Sequence, residues 1–299
     1  MARNRPPVVS EVPVIRSPDL LDAAEFRIRF CPTSSDLDQD EESFEFQHRG
    51  ETRRLRIHDY ADIFRVPGLY EALVYDKLEC NSPPRLADLL ASVIADWPDT
   101  PSSLRVLDLG AGNGIMAEEL RRIGVRHVIG LDLLREADLA ARRDRPGVYD
   151  DYVVVDLTAL PEKDERRLEA ARLDCLVTAA ALGFGDIPPE AFTAAFNLIA
   201  TEGWLAMTIK EGFLDPRGDD SGFARLLRSL IDAGIIEIQA HHRYCHRLSI
   251  DGEQIFYLAV VARKTADITP SSVASHHERN GVVTVRRADP TSILLSRSS

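Results

Sequence analysis

The 299-residue chain is short of positive charge: 36 Lys and Arg stand against 48 Asp and Glu, a net charge of -12. Nucleic-acid surfaces need clustered Lys and Arg to displace phosphate counterions, and no basic stripe is evident, so no DNA partner is expected. Cysteine is sparse. Cys31, Cys80, Cys175 and Cys245 lie far apart without a C-x-x-C pair, which argues for reduced thiols and against a metal knuckle. No apolar run approaches the roughly 18 residues of a membrane helix. Met1 to Pro13 lacks the apolar core of a signal peptide. These absences lead us to expect a cytoplasmic protein without a membrane partner. What remains is ordinary for a globular chain, 44% hydrophobic and 28% charged, enough for one large domain with additions.

Met1 to Pro18, rich in Pro and Arg and without periodicity, reads as a loose arm. Phe26 to Phe30 alternates and reads as a strand. The acidic run Asp36, Asp38, Asp40, Glu41 and Glu42 reads as a solvated loop. Phe44-Glu45-Phe46 and Leu55-Arg56-Ile57 then form a hairpin around Gly50. Residues 1–59 are thus an arm with a small β appendage, and residues 60–103 a helical cover. In the cover, Leu69, Leu73 and Leu78 keep helical spacing, and Ser82-Pro83-Pro84 opens a helix with Leu86, Leu89, Leu90, Val93 and Ile94 on one face. From residue 104 to 264 strands and helices alternate, ending in two long strands turned at Asp251-Gly252. Such alternation predicts an α/β, Rossmann-like, doubly wound and mostly parallel sheet of seven strands, with an antiparallel hairpin at its C-terminal end. Residues 265–299 are polar and read as a tail, in which Val282 to Val285 offers one more strand.

The most informative stretch is Val106-Leu107-Asp108-Leu109-Gly110-Ala111-Gly112-Asn113-Gly114-Ile115. A strand, a glycine turn and a helix N-terminus bring backbone close to a ligand. Dinucleotide-binding turns follow G-x-G-x-x-G or G-x-G-x-x-A. Gly110 and Gly112 fit, but Ile115 stands at the last position, which disfavours a dehydrogenase. Asp108, at the strand end, would repel a pyrophosphate and suits a cationic ligand.

The stretch resembles the first motif of the class I S-adenosylmethionine-dependent methyltransferases. Val128 to Asp132 and Val153 to Asp156 resemble the next two strands, each ending in an acid, with Leu173 to Thr178 and Gly203 to Ile209 following in the family's order. The resemblance implies S-adenosylmethionine as cofactor and assigns roles. Asp108 would lie near the methionine ammonium, with Gly110, Ala111, Gly112 and Gly114 passing under the cofactor. Asp132 would accept from both ribose hydroxyls, Leu133 would pack on adenine, and Asp156 and Leu157 would contact its edge. Ala179 and Tyr75 would complete the cofactor site. Each acid has a second reading as a helix N-cap.

Three places offer an acceptor site. In the loop after the fourth strand, Asp186 is either a cap for the helix opened by Pro188-Pro189 or an acceptor-site acid. Asp186-Ile187-Pro188-Pro189 lacks the aromatic of the family's N-P-P-Y type motif. In His241-His242-Arg243-Tyr244-Cys245-His246-Arg247, period two puts His242, Tyr244 and His246 on one face, as sheet residues, acceptor contacts or metal ligands, although no further metal ligand is signposted. Tyr60, Tyr70 and Tyr75 occupy the cover, and Lys210-Glu211 follows the fifth strand. The expected activity is methyl transfer to an O, N or C nucleophile of a small molecule. A protein acceptor and a non-catalytic nucleotide-binding scaffold are the alternatives, and the oligomeric state stays open, a homodimer included.

Overall fold

The computed structural model describes residues 26–31, 41–48, 50–182, 186–211, 222–269, 286–289 and 292–294. The N-terminal arm, most of the acidic run and residues 282–285 lie outside the described residues.

Strands β1 (Phe26–Phe30), β2 (Ser43–His48) and β3 (Glu51–Arg56) form an antiparallel sheet. Its apolar side chains Phe44, Phe46 and Leu55 pack with Ile63, Leu69 and Leu73 from the short helices α1 (Tyr60–Phe64) and α2 (Leu69–Glu71) and the turn after them. Pro67-Gly68 separates the two helices, and a π-helical stretch, Ala72–Lys77, continues α2. The packing divides the stretch read as one cover. Residues up to Leu78 join the appendage, whereas α3 (Ser82–Ile94) lays Leu86, Leu90 and Ile94 on the main sheet.

That sheet has seven strands in the spatial order β6-β5-β4-β7-β8-β10-β9. They are β4 (Arg105–Leu109), β5 (His127–Asp132), β6 (Asp151–Val154), β7 (Cys175–Thr178), β8 (Trp204–Lys210), β9 (Ile236–Leu248) and β10 (Gln254–Lys264). The first five are parallel, and β10 runs antiparallel to both its neighbours. Alternation sends Val106, Cys175, Val177 and Ala206 to the face covered by α3 and α4 (Ile115–Arg122). Leu107, Leu176, Leu205 and Met207 go to the other face, under α7 (Pro189–Asn197) and α8 (Phe223–Asp232). Helices α5 (Arg135–Asp144) and α6 (Glu162–Ala170) complete the windings, and a short pair, β11 (Arg286–Asp289) with β12 (Ser292–Leu294), follows near the chain end. Among the described residues no helix is long and apolar enough to cross a membrane.

Strand order reverses between β4 and β7, so the carboxyl ends of β4, β5 and β7 open a crevice where such folds bind ligands.

Candidate functional site

The glycine turn forms the floor of this crevice. Gly110 has φ +73°, and a Cβ there would sit 2.8 Å from the Ala181 Cβ, so only glycine lets the β7 loop approach. Two tyrosines brace the turn from below. The Tyr149 hydroxyl donates to Asp108 Oδ2 at 2.7 Å and to the Ala111 carbonyl at 3.1 Å, while Tyr152 donates to the Gly112 carbonyl at 2.9 Å. Gly130 on β5 makes room for both rings, since a Cβ there would lie 2.8 Å from Tyr152 and 3.0 Å from Tyr149. Sequence reasoning missed these braces. Their signal was a glycine in mid-strand facing two tyrosines spaced by three.

A cleft with a cavity volume of about 540 Å³ lies above the turn, within the size range of small-molecule and cofactor sites. Gly110, Gly112, Asp132, Leu133, Asp156, Leu157, Ala179 and Asp186 line it, together with Tyr60, Phe64 and Tyr70 from the cover. Its described lining includes Asp59, Asp62, Asp132, Asp156 and Asp186 and no Lys or Arg. Arg56 offsets Asp59, and Arg53 and Arg65 offset Asp62.

Asp132 accepts from the Gly112 and Leu134 backbone N–H groups, both at 2.9 Å. Burial raises its pKa against the pull of these bonds. A carboxylate has about four acceptor sites, so two bonds do not exhaust it. Leu133 stands 62% exposed on the cleft wall, an apolar surface offered to a planar ligand. Asp156 behaves as the alternative reading held: it is exposed and caps the 3₁₀ turn Leu157–Ala159 by accepting from the Thr158 N–H and hydroxyl, bonds that lower its pKa. It also lines the cleft.

Several expected residues are not brought to this wall. Asp108 is 1% exposed beneath the turn, and burial pushes its pKa up to about 7 against the opposing Tyr149 hydrogen bond, with Asp132 adding to the rise. Ala111 and Gly114 are buried too, and Gly114 faces Val148 and Tyr149. Tyr75 lines a second, narrow arm of the cavity, about 60 Å³, which meets the cleft at His58, Tyr60, Tyr70, Ala179, Ala180 and Asp186. Ala180 adopts the left-handed φ of +56° there, with its N–H donated to Thr208 at 2.7 Å.

Of the His-rich strand, only His246 and Arg247 reach the arm. His242 is exposed on β9, the sheet's edge strand, and lines neither cavity. Tyr244 is buried and bonds Ser82 at 2.5 Å, and Ser82 in turn lies 2.7 Å from His246 Nδ1. A bulge leaves His246 unpaired, with Cys245 opposite Phe256 and Arg247 opposite Ile255, yet Tyr244 and His246 still meet at Ser82. Burial, then Arg247, holds the His246 pKa well below its ordinary value. Glu211 pairs with Arg243 rather than entering the cleft. Glu42, read as part of a solvated loop, is 5% exposed and ion-paired with Arg247 at 2.5 Å, because the β9–β10 turn folds over the appendage. Among the described residues no cluster of His, Cys, Asp and Glu could hold a metal ion.

Asp186 is not a cap. The residue preceding α7 is Pro188, and the Asp186 carboxylate lies 3.1 Å from His58 Nδ1. His58, which sequence reasoning passed over, comes from the loop between β3 and α1. It carried no signal, because its partner lies far along the chain.

A doubly wound sheet with a glycine-floored, acid-lined cleft at its switch point defines a nucleotide-cofactor enzyme of the α/β class. The chain belongs to the methyltransferase-domain family, whose model matches residues 81–250. A search of curated proteins finds no match. Among solved structures, the N-methyltransferase NodS of Bradyrhizobium japonicum WM9, in complex with S-adenosyl-L-homocysteine, is 14% identical with TM-score 0.48, over 70% of this chain and 98% of that one. Magnesium protoporphyrin IX methyltransferase of Synechocystis PCC 6803 is 15% identical with TM-score 0.44, over 64% and 87%. An S-adenosylmethionine-dependent methyltransferase of Mesorhizobium loti is 18% identical with TM-score 0.38, over 60% and 98%.

Proposed function

We propose that this methyltransferase acts on a small acceptor without negative charge, in the cleft between the glycine turn and the N-terminal cover. The carrying observation is the cleft's charge: among its described lining residues stand Asp132, Asp156 and Asp186, besides the Arg-paired Asp59 and Asp62, and no Lys or Arg. Acceptors that present phosphate, nucleic acid among them, are bound by cationic side chains, of which there are none among the described lining residues. The same field favours a sulfonium ligand with its ammonium group.

The residues present fit the cofactor. Asp132 has acceptor capacity left for ribose hydroxyls. Leu133 and Leu157 would give adenine an apolar wall, and Asp156 on the same lining would be available to its edge. Gly110 and Gly112 let the β7 loop and the Phe64 ring close on the turn, since a Cβ at Gly110 would lie 2.8 Å from Ala181 and one at Gly112 3.3 Å from Phe64. When bound, S-adenosylmethionine supplies an activated methyl group. The chain's own work is to align an acceptor with it and to exclude water, for which Tyr60, Phe64 and Tyr70 form the roof.

Calorimetric titration with S-adenosylhomocysteine tests the cofactor half. We expect micromolar-range binding, weakened at least about tenfold by Asp132→Ala, since a lost charged hydrogen-bond acceptor is worth roughly 1.5–3 kcal/mol. Equal binding by the variant would remove Asp132 from the site.

A further inference from the structure

We propose that His58, oriented by Asp186, is the general base of the reaction, and that the acceptor is a neutral molecule methylated on a hydroxyl oxygen. This rests on the methyl-donor reading of the cleft.

The pair stands where the two arms of the cavity meet. His58 and Asp186 line both the wide cleft and the narrow arm, and they approach to 3.1 Å from segments far apart in sequence. Asp186 Oδ2 lies 3.1 Å from His58 Nδ1, so a proton on Nδ1 would face the carboxylate and Nε2 would be the proton-accepting nitrogen. Such a carboxylate fixes the tautomer and stabilises the imidazolium that forms, as in base–orienter pairs elsewhere. The groups facing the pair include the Tyr60 ring, 5.3 Å from the His58 ring, Asp132 in the cleft, whose pKa Asp186 helps to raise, and, along the narrow arm, Tyr70, Tyr257 and the Glu42-paired Arg247. Tyr60 and Tyr70 stay neutral, because burial first and then nearby charges push their pKa values up. The other histidines compete poorly. His242 lines neither cavity, and buried His246 resists the charge a base must take.

The acceptor class follows from the charges. The lining acids would hold an alkylamine in its ammonium form, which is no nucleophile. A carboxylate or phosphate acceptor would be repelled and would need no base. A neutral hydroxyl is the nucleophile that both tolerates the field and needs a proton removed. In the step, the acceptor oxygen bonds to the methyl carbon while the carbon–sulfur bond breaks, its electron pair staying on sulfur. The O–H proton passes to His58 Nε2, and a neutral thioether leaves.

The test uses the full chain with isotopically labelled S-adenosylmethionine and a panel of neutral phenols and alcohols beside matched aryl and alkyl amines. We expect labelled methyl on hydroxyl compounds. His58→Gln should lower kcat about 100-fold or more, the usual worth of a general base, with acceptor KM little changed. Asp186→Asn should lower kcat by a smaller factor. Both variants should keep the melting temperature and S-adenosylhomocysteine affinity of the parent, and the acid limb of the kcat/KM–pH profile should disappear in His58→Gln. Independently of turnover, long-range 1H–15N spectra of the parent should show His58 protonated at Nδ1, a preference that Asp186→Asn weakens. Methylation confined to amines, no turnover of any hydroxyl compound, full kcat in His58→Gln, or a His58 protonated at Nε2 would each overturn the proposal. If the parent failed to bind S-adenosylhomocysteine, the donor reading itself would fall; a parent that binds it but shows any of the other results loses only this inference.

Discussion

Asp108 shows how a residue singled out by its position can be placed by a force the sequence does not display. Its position at the end of β4 suits a cationic ligand, yet the carboxyl is buried under the turn and held by Tyr149. Its pKa rises from 3.8 to about 7 because burial disfavours the charged form. A pKa raised on folding favours the protonated group. The stabilisation is therefore complete below the unfolded value of 3.8 and is lost as pH rises to about 7. Asp108→Asn keeps an acceptor for Tyr149 and cannot ionise. We expect its melting temperature to exceed the parent's at pH 8, by an amount reflecting a few kcal/mol, and the gain to vanish near pH 4. A gain independent of pH would refute this reading. Gly110 gives a second residue-scale prediction. With φ +73° and the Ala181 methyl only 2.8 Å from where a Cβ would stand, Gly110→Ala should destabilise by about 1–3 kcal/mol and weaken S-adenosylhomocysteine binding in the same titration.

At the scale of elements, strands and helices were legible because burial imposes their periods. The β4 pattern, the alternating windings and the final hairpin each sit where apolar spacing predicts them. The His-rich strand was not legible in the same way. Period two grouped His242, Tyr244 and His246; Tyr244 and His246 do meet at Ser82 at the start of α3, whereas His242, in unbroken register with Tyr244, is exposed on the edge strand. This buried chain of hydrogen bonds ties α3 to β9. Ser82→Ala leaves two buried polar groups without that partner, so urea unfolding should show a loss of about 1–3 kcal/mol. The loss should shrink in a Tyr244→Phe background, where one of the orphaned groups is already gone. Equal losses in both backgrounds would mean that Tyr244 and Ser82 act independently.

Across the whole molecule, the appendage and the C-terminal hairpin are one assembly around the narrow arm. Ile250 enters the apolar cluster of β2, β3 and α2, and Glu42 meets Arg247 at 2.5 Å with both side chains buried. Removing one partner of a buried pair costs about 3–5 kcal/mol, because the other charge stays desolvated. Glu42→Gln should lower the unfolding midpoint accordingly, and Glu42→Gln with Arg247→Met should recover part of the loss.

By itself the sequence determined the sheet, its order of windings, the glycine turn and the methyltransferase family. Each follows from local patterns: apolar period, turn glycines and acids at strand ends. Only the tertiary structure decided which side chains face the cleft. It drew Asp108 beneath the floor, set Asp156 as a cap at the rim, left His242 on an edge and put His58 against Asp186. Burial and pairing between residues distant in the chain made those choices, and local sequence holds no record of them.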